Sequence, residues 1–242
     1  SMYDSGQGVA RDLARAVSLH ERACEGGEFA GCESLGLLYE TGAGVLVDYQ
    51  SAARLYLEGC DGGLASSCRR LGSLALSGSG VEVNPERALE LFAQACDGRD
   101  LSGCVNLGVG YEHGEGISQD LDVAFMLYDY SCEGGELMGC VNLGGLHRTG
   151  AGVPQDPRLA VSLYRRACDG GQPLGCFNLG TSYELGEGVP QDAVTAVVAF
   201  QTACAAGLAI GCEKLPTAAR LQSEPISSNV VATFGRVADA DT

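Results

Sequence analysis

The sequence predicts an all-α fold, an α/α superhelical solenoid of helical hairpins, and three regularities predict it. Twelve cysteines fall in pairs eight residues apart: Cys24 and Cys32, Cys60 and Cys68, Cys96 and Cys104, Cys132 and Cys140, Cys168 and Cys176, Cys204 and Cys212. The pairs recur every thirty-six residues, a period that marks an array of one supersecondary unit. Between them, apolar and small residues return at helical spacing, and glycine-rich turns close each run. Each unit of such an array buries its apolar face only against its neighbours, so the 242 residues count repeats and not domains.

One copy shows how the elements arise. Cys104, Leu107, Gly108 and Tyr111 follow the i, i+3, i+4, i+7 rule for one face of a helix, helix A. It is predicted to stop at Gly114 and Gly116, which tolerate the left-handed backbone of a helix terminus and turn. Asp120 then caps helix B, whose Ala124, Leu127, Tyr128 and Cys132 share a face, and Gly134 and Gly135 end it. Two such helices with short connections make an αα-hairpin, and hairpins in series stack into a solenoid.

The same places recur along the chain. Asp12, Asp48, Asn84, Asp120, Asp156 and Asp192 hold the cap of helix B. Ala16, Ala52, Ala88, Ala124, Ala160 and Ala196 are spacers where a larger side chain would push helices apart, and four residues on His20, Tyr56, Phe92, Tyr128, Tyr164 and Phe200 fill a wider gap. On helix A, Leu35, Leu71, Leu107, Leu143, Leu179 and Leu215 face the core, while Gly36, Gly72, Gly108, Gly144 and Gly180 allow close backbone approach. Tyr3 already sits mid-repeat, so the first unit is expected to be truncated. At the other end Pro216 obstructs a continuing helix A. The solenoid is therefore expected over residues 1–216. Residues 217–242 read as a non-repeat tail, with a short helical turn at 218–221 and an extended stretch at 230–237.

Within each cysteine pair, the first residue ends helix B and the second begins the next helix A. That spacing suits a bridge across a helix corner, and it favours one disulfide per repeat over zinc or free thiols. Zinc is the competing reading, but structural zinc needs four converging ligands and a corner supplies two cysteines. A loop this short stabilises the fold by roughly 2.5 kcal/mol through the unfolded chain. Paired cysteines also imply an oxidising compartment.

Charge narrows the partners. A formal net charge of -16 repels polyanions, and no basic stripe exists to neutralise phosphates, so nucleic acid is excluded and a neutral or basic partner is expected. No apolar run reaches the roughly 18 residues needed to span a bilayer.

These motifs resemble the Sel1-like repeat family, a relative of the tetratricopeptide repeat, and in particular its disulfide-stapled branch typified by the Helicobacter cysteine-rich proteins. The resemblance rests on Gly-Cys-Val-Asn-Leu-Gly at 103–108 and 139–144 and Gly-Cys-Phe-Asn-Leu-Gly at 175–180, with Gly-x-Gly-Val and Gln-Asp downstream at 150–156 and 186–192. It implies a protein-protein interaction scaffold that is secreted or periplasmic, with the mitochondrial intermembrane space as the alternative setting. It also implies a second possibility, β-lactam or peptidoglycan-related binding or weak β-lactamase activity, as described for cysteine-rich relatives.

The residues lean against catalysis. Serine β-lactamases need a serine three residues before a lysine. The single lysine, Lys214, has Gly211 at that place. Clustered histidines for a zinc hydrolase are missing too, since His20, His113 and His147 belong to separate repeats. No metal and no cofactor is expected. The enzymatic reading left open is a centre built from Glu112, Glu184 or neighbouring serines.

The other face of helix A carries the binding expectation. Two places after the second cysteine stand Ser34, Arg70, Asn106, Asn142 and Asn178. The face is expected to continue through Leu38, Leu74, His113, Leu146, Thr149, Ser182 and Leu185, lining a concave groove. Asparagine offers a donor and an acceptor, which suits the backbone of an extended peptide. In tetratricopeptide relatives a groove asparagine has this part, and the resemblance carries it to Asn106, Asn142 and Asn178. The competing reading is that each asparagine bonds a neighbouring helix. The stretch at 230–237 is a further candidate occupant, through tail-in-groove self-association.

Overall fold

The computed structural model describes residues 12–215, which form twelve helices with no strand among them. In chain order these are α1 (Leu13–Glu25), α2 (Phe29–Thr41), α3 (Tyr49–Asp61), α4 (Ala65–Ser77), α5 (Pro85–Asp97), α6 (Leu101–His113), α7 (Leu121–Glu133), α8 (Leu137–Thr149), α9 (Pro157–Asp169), α10 (Pro173–Leu185), α11 (Ala193–Ala205) and α12 (Ala209–Glu213). Odd-numbered helices are the predicted helix B and even-numbered ones helix A. The Pro216 break, the start of the first unit, and the stretches at 218–221 and 230–237 lie outside the described residues.

Local chemistry sets the helix ends. The Asp48 carboxylate accepts from the N–H groups of Gln50 and Ser51, Asp120 from Asp122 and Val123, and Asp192 from Val194 and Thr195. Asp12, Asn84 and Asp156 cap α1, α5 and α9 in the same way, so every expected cap is made. At the other terminus, Gly42, Gly78, Gly114 and Gly186 turn left-handed at φ of 71° to 75° and close α2, α4, α6 and α10. A second left-handed place lies between each odd helix and the next even one. Glycine holds it at 27, 63, 135, 171 and 207, but Arg99 holds it in the third corner at φ 66°, a conformation that costs an L-residue about 1–2 kcal/mol.

The described residues fall into two compact units, 12–143 with 151–153, and 144–150 with 154–215. In the first, α1 to α7 pack each against the next, and the A-type helices α4 and α6 also touch. In the second, α9 packs on α10, α10 on α11 and α11 on α12. The core repeats as the sequence does. All six spacer alanines are buried, and Tyr56, Phe92, Tyr128, Tyr164 and Phe200 are at most 2 % exposed, whereas His20 is half-buried. Each of those five rings lies on a helix A glycine. A β-carbon built on Gly36, Gly72, Gly108, Gly144 or Gly180 would come within 2.6–2.8 Å of it.

Six disulfides, one per repeat, join the end of each odd helix to the start of the next even helix, with Cα separations of 4.4–4.7 Å. No described cysteine is free. A sulfur committed to another sulfur is no thiolate ligand, so the zinc alternative falls for these residues. Five of the corners also crowd the residue before the second cysteine. A β-carbon on Gly31, Gly103, Gly139, Gly175 or Gly211 would lie 2.6–2.9 Å from the β-carbon, or in Gly139 from the backbone and β-carbon, of the residue facing it across the corner. Among the described residues, no helix is long and apolar enough to cross a membrane.

Candidate peptide-binding face

On α2 the buried stripe is Cys32, Leu35 and Leu38, and the side facing away from it carries Ser34, Leu37 and Thr41. The equivalent outer row on the later A-type helices is Arg70 and Ser73 on α4, Asn106, Val109 and His113 on α6, Asn142 and Gly145 on α8, and Asn178 and Thr181 on α10. All of the expected row from Ser34 to Asn178 is half-buried, and His113 is exposed at the last residue of α6. The expected continuation needs correction. Leu38, Leu74, Leu146 and Ser182 are buried, at 8 %, 4 %, 1 % and 2 % exposure, and belong to the core; Thr149 and Leu185 are exposed as expected. A step of four residues from position 34 turns back toward the core, whereas a step of three turns away from it.

Beneath this row the buried rings of the odd helices meet charged residues at the ends of the even ones. The Tyr128 hydroxyl donates to the Glu112 carboxylate at 2.7 Å, and the Tyr56 hydroxyl donates to Glu40. Arg70 sits over the Tyr56 ring, 5.8 Å from its centre, and pairs with Glu33 at 3.2 Å. The Asn142 amide lies beside the Tyr128 hydroxyl, where it pulls the phenol pKa down against burial and Glu112. The Ser34 hydroxyl is spent on the Ala30 carbonyl of its own helix, at 2.8 Å. Neither the Asn106 amide nor the Asn178 amide has a hydrogen-bond partner among the described residues. In the second unit the Tyr164 hydroxyl meets Arg148.

One member of the row escaped the sequence reading. Lys214 stands thirty-six residues after Asn178, two places beyond Cys212, and so occupies the sixth copy of the same position. It lies 5.7 Å from the Phe200 ring centre, as Arg70 lies over Tyr56, and pairs with Glu184 at 2.7 Å. Continuing the period by one step would have found it.

Burial, and after it the hydrogen bond to Glu112, raises the Tyr128 pKa well above the ordinary tyrosine value; burial and then Glu40 do the same for Tyr56, and burial raises Tyr164 against the pull of Arg148. In the unfolded chain these phenols ionise from about pH 10, so above that pH the folded state binds more protons. Their contribution to stability is complete below about pH 10 and is lost as pH rises toward the folded values. Urea midpoints are expected to fall steeply above about pH 10, and less steeply in a Tyr56→Phe/Tyr128→Phe variant, since Phe92 and Phe200 show that phenylalanine fits. An equal slope in the variant would contradict this.

A cavity of about 350 Å³ opens on this face in the first unit, lined by Ser73, Leu76, Ser77, Phe92, Asn106 and Val109. Of the expected site residues it brings in Asn106 alone.

The sequence matches the family described as Sel1 repeat over residues 1–28, 30–64, 65–100, 101–136, 137–172 and 173–208. Among solved structures, a protective antigen of uropathogenic Escherichia coli strains displaying an SLR fold is 30% identical, with a TM-score of 0.75, and the alignment covers 87% of this chain and 45% of that one. The chain thus spans less than half the length of that antigen. A Sel1 repeat protein from Oxalobacter formigenes is 25% identical, with a TM-score of 0.79 and coverage of 84% and 83%. Cysteine rich protein B of Helicobacter pylori is 29% identical over 54% of this chain and 93% of its own, with a TM-score of 0.45. No curated protein matches the chain.

Proposed function

The chain belongs to the Sel1 repeat family, whose members are generally protein-interaction scaffolds, and from that premise we propose that it is a non-catalytic receptor for an extended segment of a partner protein. The segment docks on the outer row of the A-type helices within a unit, with Ser34, Arg70, Asn106, His113 and Asn142 as its contacts in the first unit and Asn178 in the second. One observation carries this reading: Asn106 and Asn178 hold half-buried amides that no neighbouring helix uses. Such an amide stays open to water with its donor and acceptor both free, and the backbone of an extended chain takes up both. Nothing comparable favours the β-lactam reading. Lys214, its sole lysine, is engaged by Glu184.

Six disulfides suit an oxidising compartment, and secretion or residence in the periplasm accords with them. A net charge of -16 favours a neutral or basic segment.

The test is binding of arrayed random peptides, about 12 residues long and therefore up to about 40 Å when extended, to the oxidised protein. Replacing Asn106, Asn142 and Asn178 together by alanine is expected to weaken the selected peptides at least about tenfold, since each lost hydrogen bond is worth roughly 0.5–1.5 kcal/mol. Undiminished binding by this variant would refute the role of the row.

A further inference from the structure

The repeat that carries Phe92 differs from its neighbours at two facing positions. Positions 40, 76 and 112 are equivalent, as are 56, 92 and 128. In the flanking copies a tyrosine hydroxyl donates to a glutamate, Tyr56 to Glu40 and Tyr128 to Glu112, which sets polar groups at this place. In the middle copy both members are replaced. Phe92 has no hydroxyl and Leu76 has no carboxylate, and it is here that the 350 Å³ cavity opens. Phe92 is 1 % exposed, whereas Leu76 is 36 % exposed. Asn106 lines the same cavity with an amide that no described residue engages.

None of the residues lining the cavity is charged, and the charges on two of the helices that bear them, α4 and α6, are unevenly paired. The cations of α4 are committed, Arg69 to Asp100 at 3.0 Å and Arg70 to Glu33 at 3.2 Å. Glu112 is held only by the neutral Tyr128 hydroxyl and has no cationic partner among the described residues. It follows Asn106 by six residues on α6, a rise of about 9 Å along the helix and a rotation of about 120° around it. An extended peptide advances about 3.3 Å per residue, so a basic side chain two or three positions from the cavity would reach that carboxylate.

Resting on the reading of this face as a peptide site, we infer that the Phe92–Leu76–Asn106 cavity is an anchor subsite for one aliphatic or aromatic side chain of a partner segment, with a lysine or arginine two or three positions away meeting Glu112. The volume lies at the low end of ligand pockets and suits one large side chain. The Asn106 amide bonds the segment's backbone beside the anchor. Partner chemistry is thereby stated as an apolar residue with a nearby cation, in accord with the net charge of -16.

The decisive variant is Leu76→Glu with Phe92→Tyr, which installs the polar pair already present in both flanking copies. Peptides selected on the wild-type array are expected to share an apolar residue with lysine or arginine two or three positions from it. Their affinities, read by fluorescence polarisation, are expected to fall at least about tenfold in this variant, as loss of one buried apolar side chain implies. Glu112→Gln is expected to weaken only the peptides carrying the cation. Should the double variant fail to fold by circular dichroism, Ser73→Phe fills the cavity from its exposed rim and gives the same readout. Selected peptides with no shared apolar residue, or equal affinity in the filled variants, would overturn the anchor subsite and leave the asparagine row standing; a wild-type protein that binds no peptide would overturn both.

Discussion

Reduction of the six disulfides in excess dithiothreitol is expected to abolish the helical circular dichroism of this chain at room temperature. Each bridge closes a loop of eight residues' separation, which in the chain-entropy account is worth roughly 2.5 kcal/mol. Six of them contribute on the order of 15 kcal/mol, the upper end of the 5–15 kcal/mol by which whole domains are stable. The helices cannot stand in for the bonds. Helices of thirteen residues are marginal alone in water, and each here gains its stability from the adjacent helices. A single lesion should act locally. Replacing Cys96 and Cys104 by serine removes about 2.5 kcal/mol at one corner, and hydrogen exchange should rise in α5 and α6 more than in α10 and α11. A reduced chain that keeps its helical signal would show that the packed rings and alanine spacers suffice.

Much of this fold was legible because the repeat averages over accident. Any one Asp-x-x or Gly-x-Gly is a weak signal, but six caps at a fixed offset leave the start of each odd helix in no doubt, and the caps at Asp48, Asp120 and Asp192 are made as read. The cysteine spacing likewise pointed to the corner that the bridges close. The face of helix A was harder. Positions 34 and 38 are four apart, as are core positions 35 and 39, so spacing alone does not say which stripe a leucine joins. Leu38 and Leu74 are drawn inward into clusters shared with the odd helices before and after them, Val17 and Leu55 for the one and Tyr56 and Leu91 for the other, and only the packing shows this. The pairing of Tyr56 with Glu40 and Tyr128 with Glu112 spans sixteen residues and two helices. It is visible in sequence only once one knows that the ring of an odd helix lies against the glycine of the even helix before it. With that known, Phe92 and Leu76 stand out as a paired departure.

Gly103→Ala is expected to destabilise the protein by about 1–3 kcal/mol, the usual range for overpacking, partly offset by the better helix propensity of alanine. The added β-carbon would lie 2.6 Å from that of Ala95 across the corner, where the Cys96–Cys104 bond holds the two Cα atoms 4.6 Å apart and leaves little room to yield. Ala23 faces Gly31, Ala95 faces Gly103, Ala167 faces Gly175 and Ala203 faces Gly211, so these corners admit one β-carbon between them. The second corner reverses the order, with Gly59 on the odd helix and Ser67 on the even one; a β-carbon on Gly59 would meet the Ser67 hydroxyl at 2.4 Å. That corner shows that the even helix can carry the side chain when the odd helix gives up its own. Adding Ala95→Gly to Gly103→Ala should therefore recover stability even though glycine in a helix costs up to about 1 kcal/mol. The double variant should melt above the Gly103→Ala single variant, a coupling of at least about 1 kcal/mol between residues eight apart in sequence. Additive losses would mean that the strain at Gly103 comes from the backbone of Cys96, 3.3 Å from the same added atom, and not from the facing side chain.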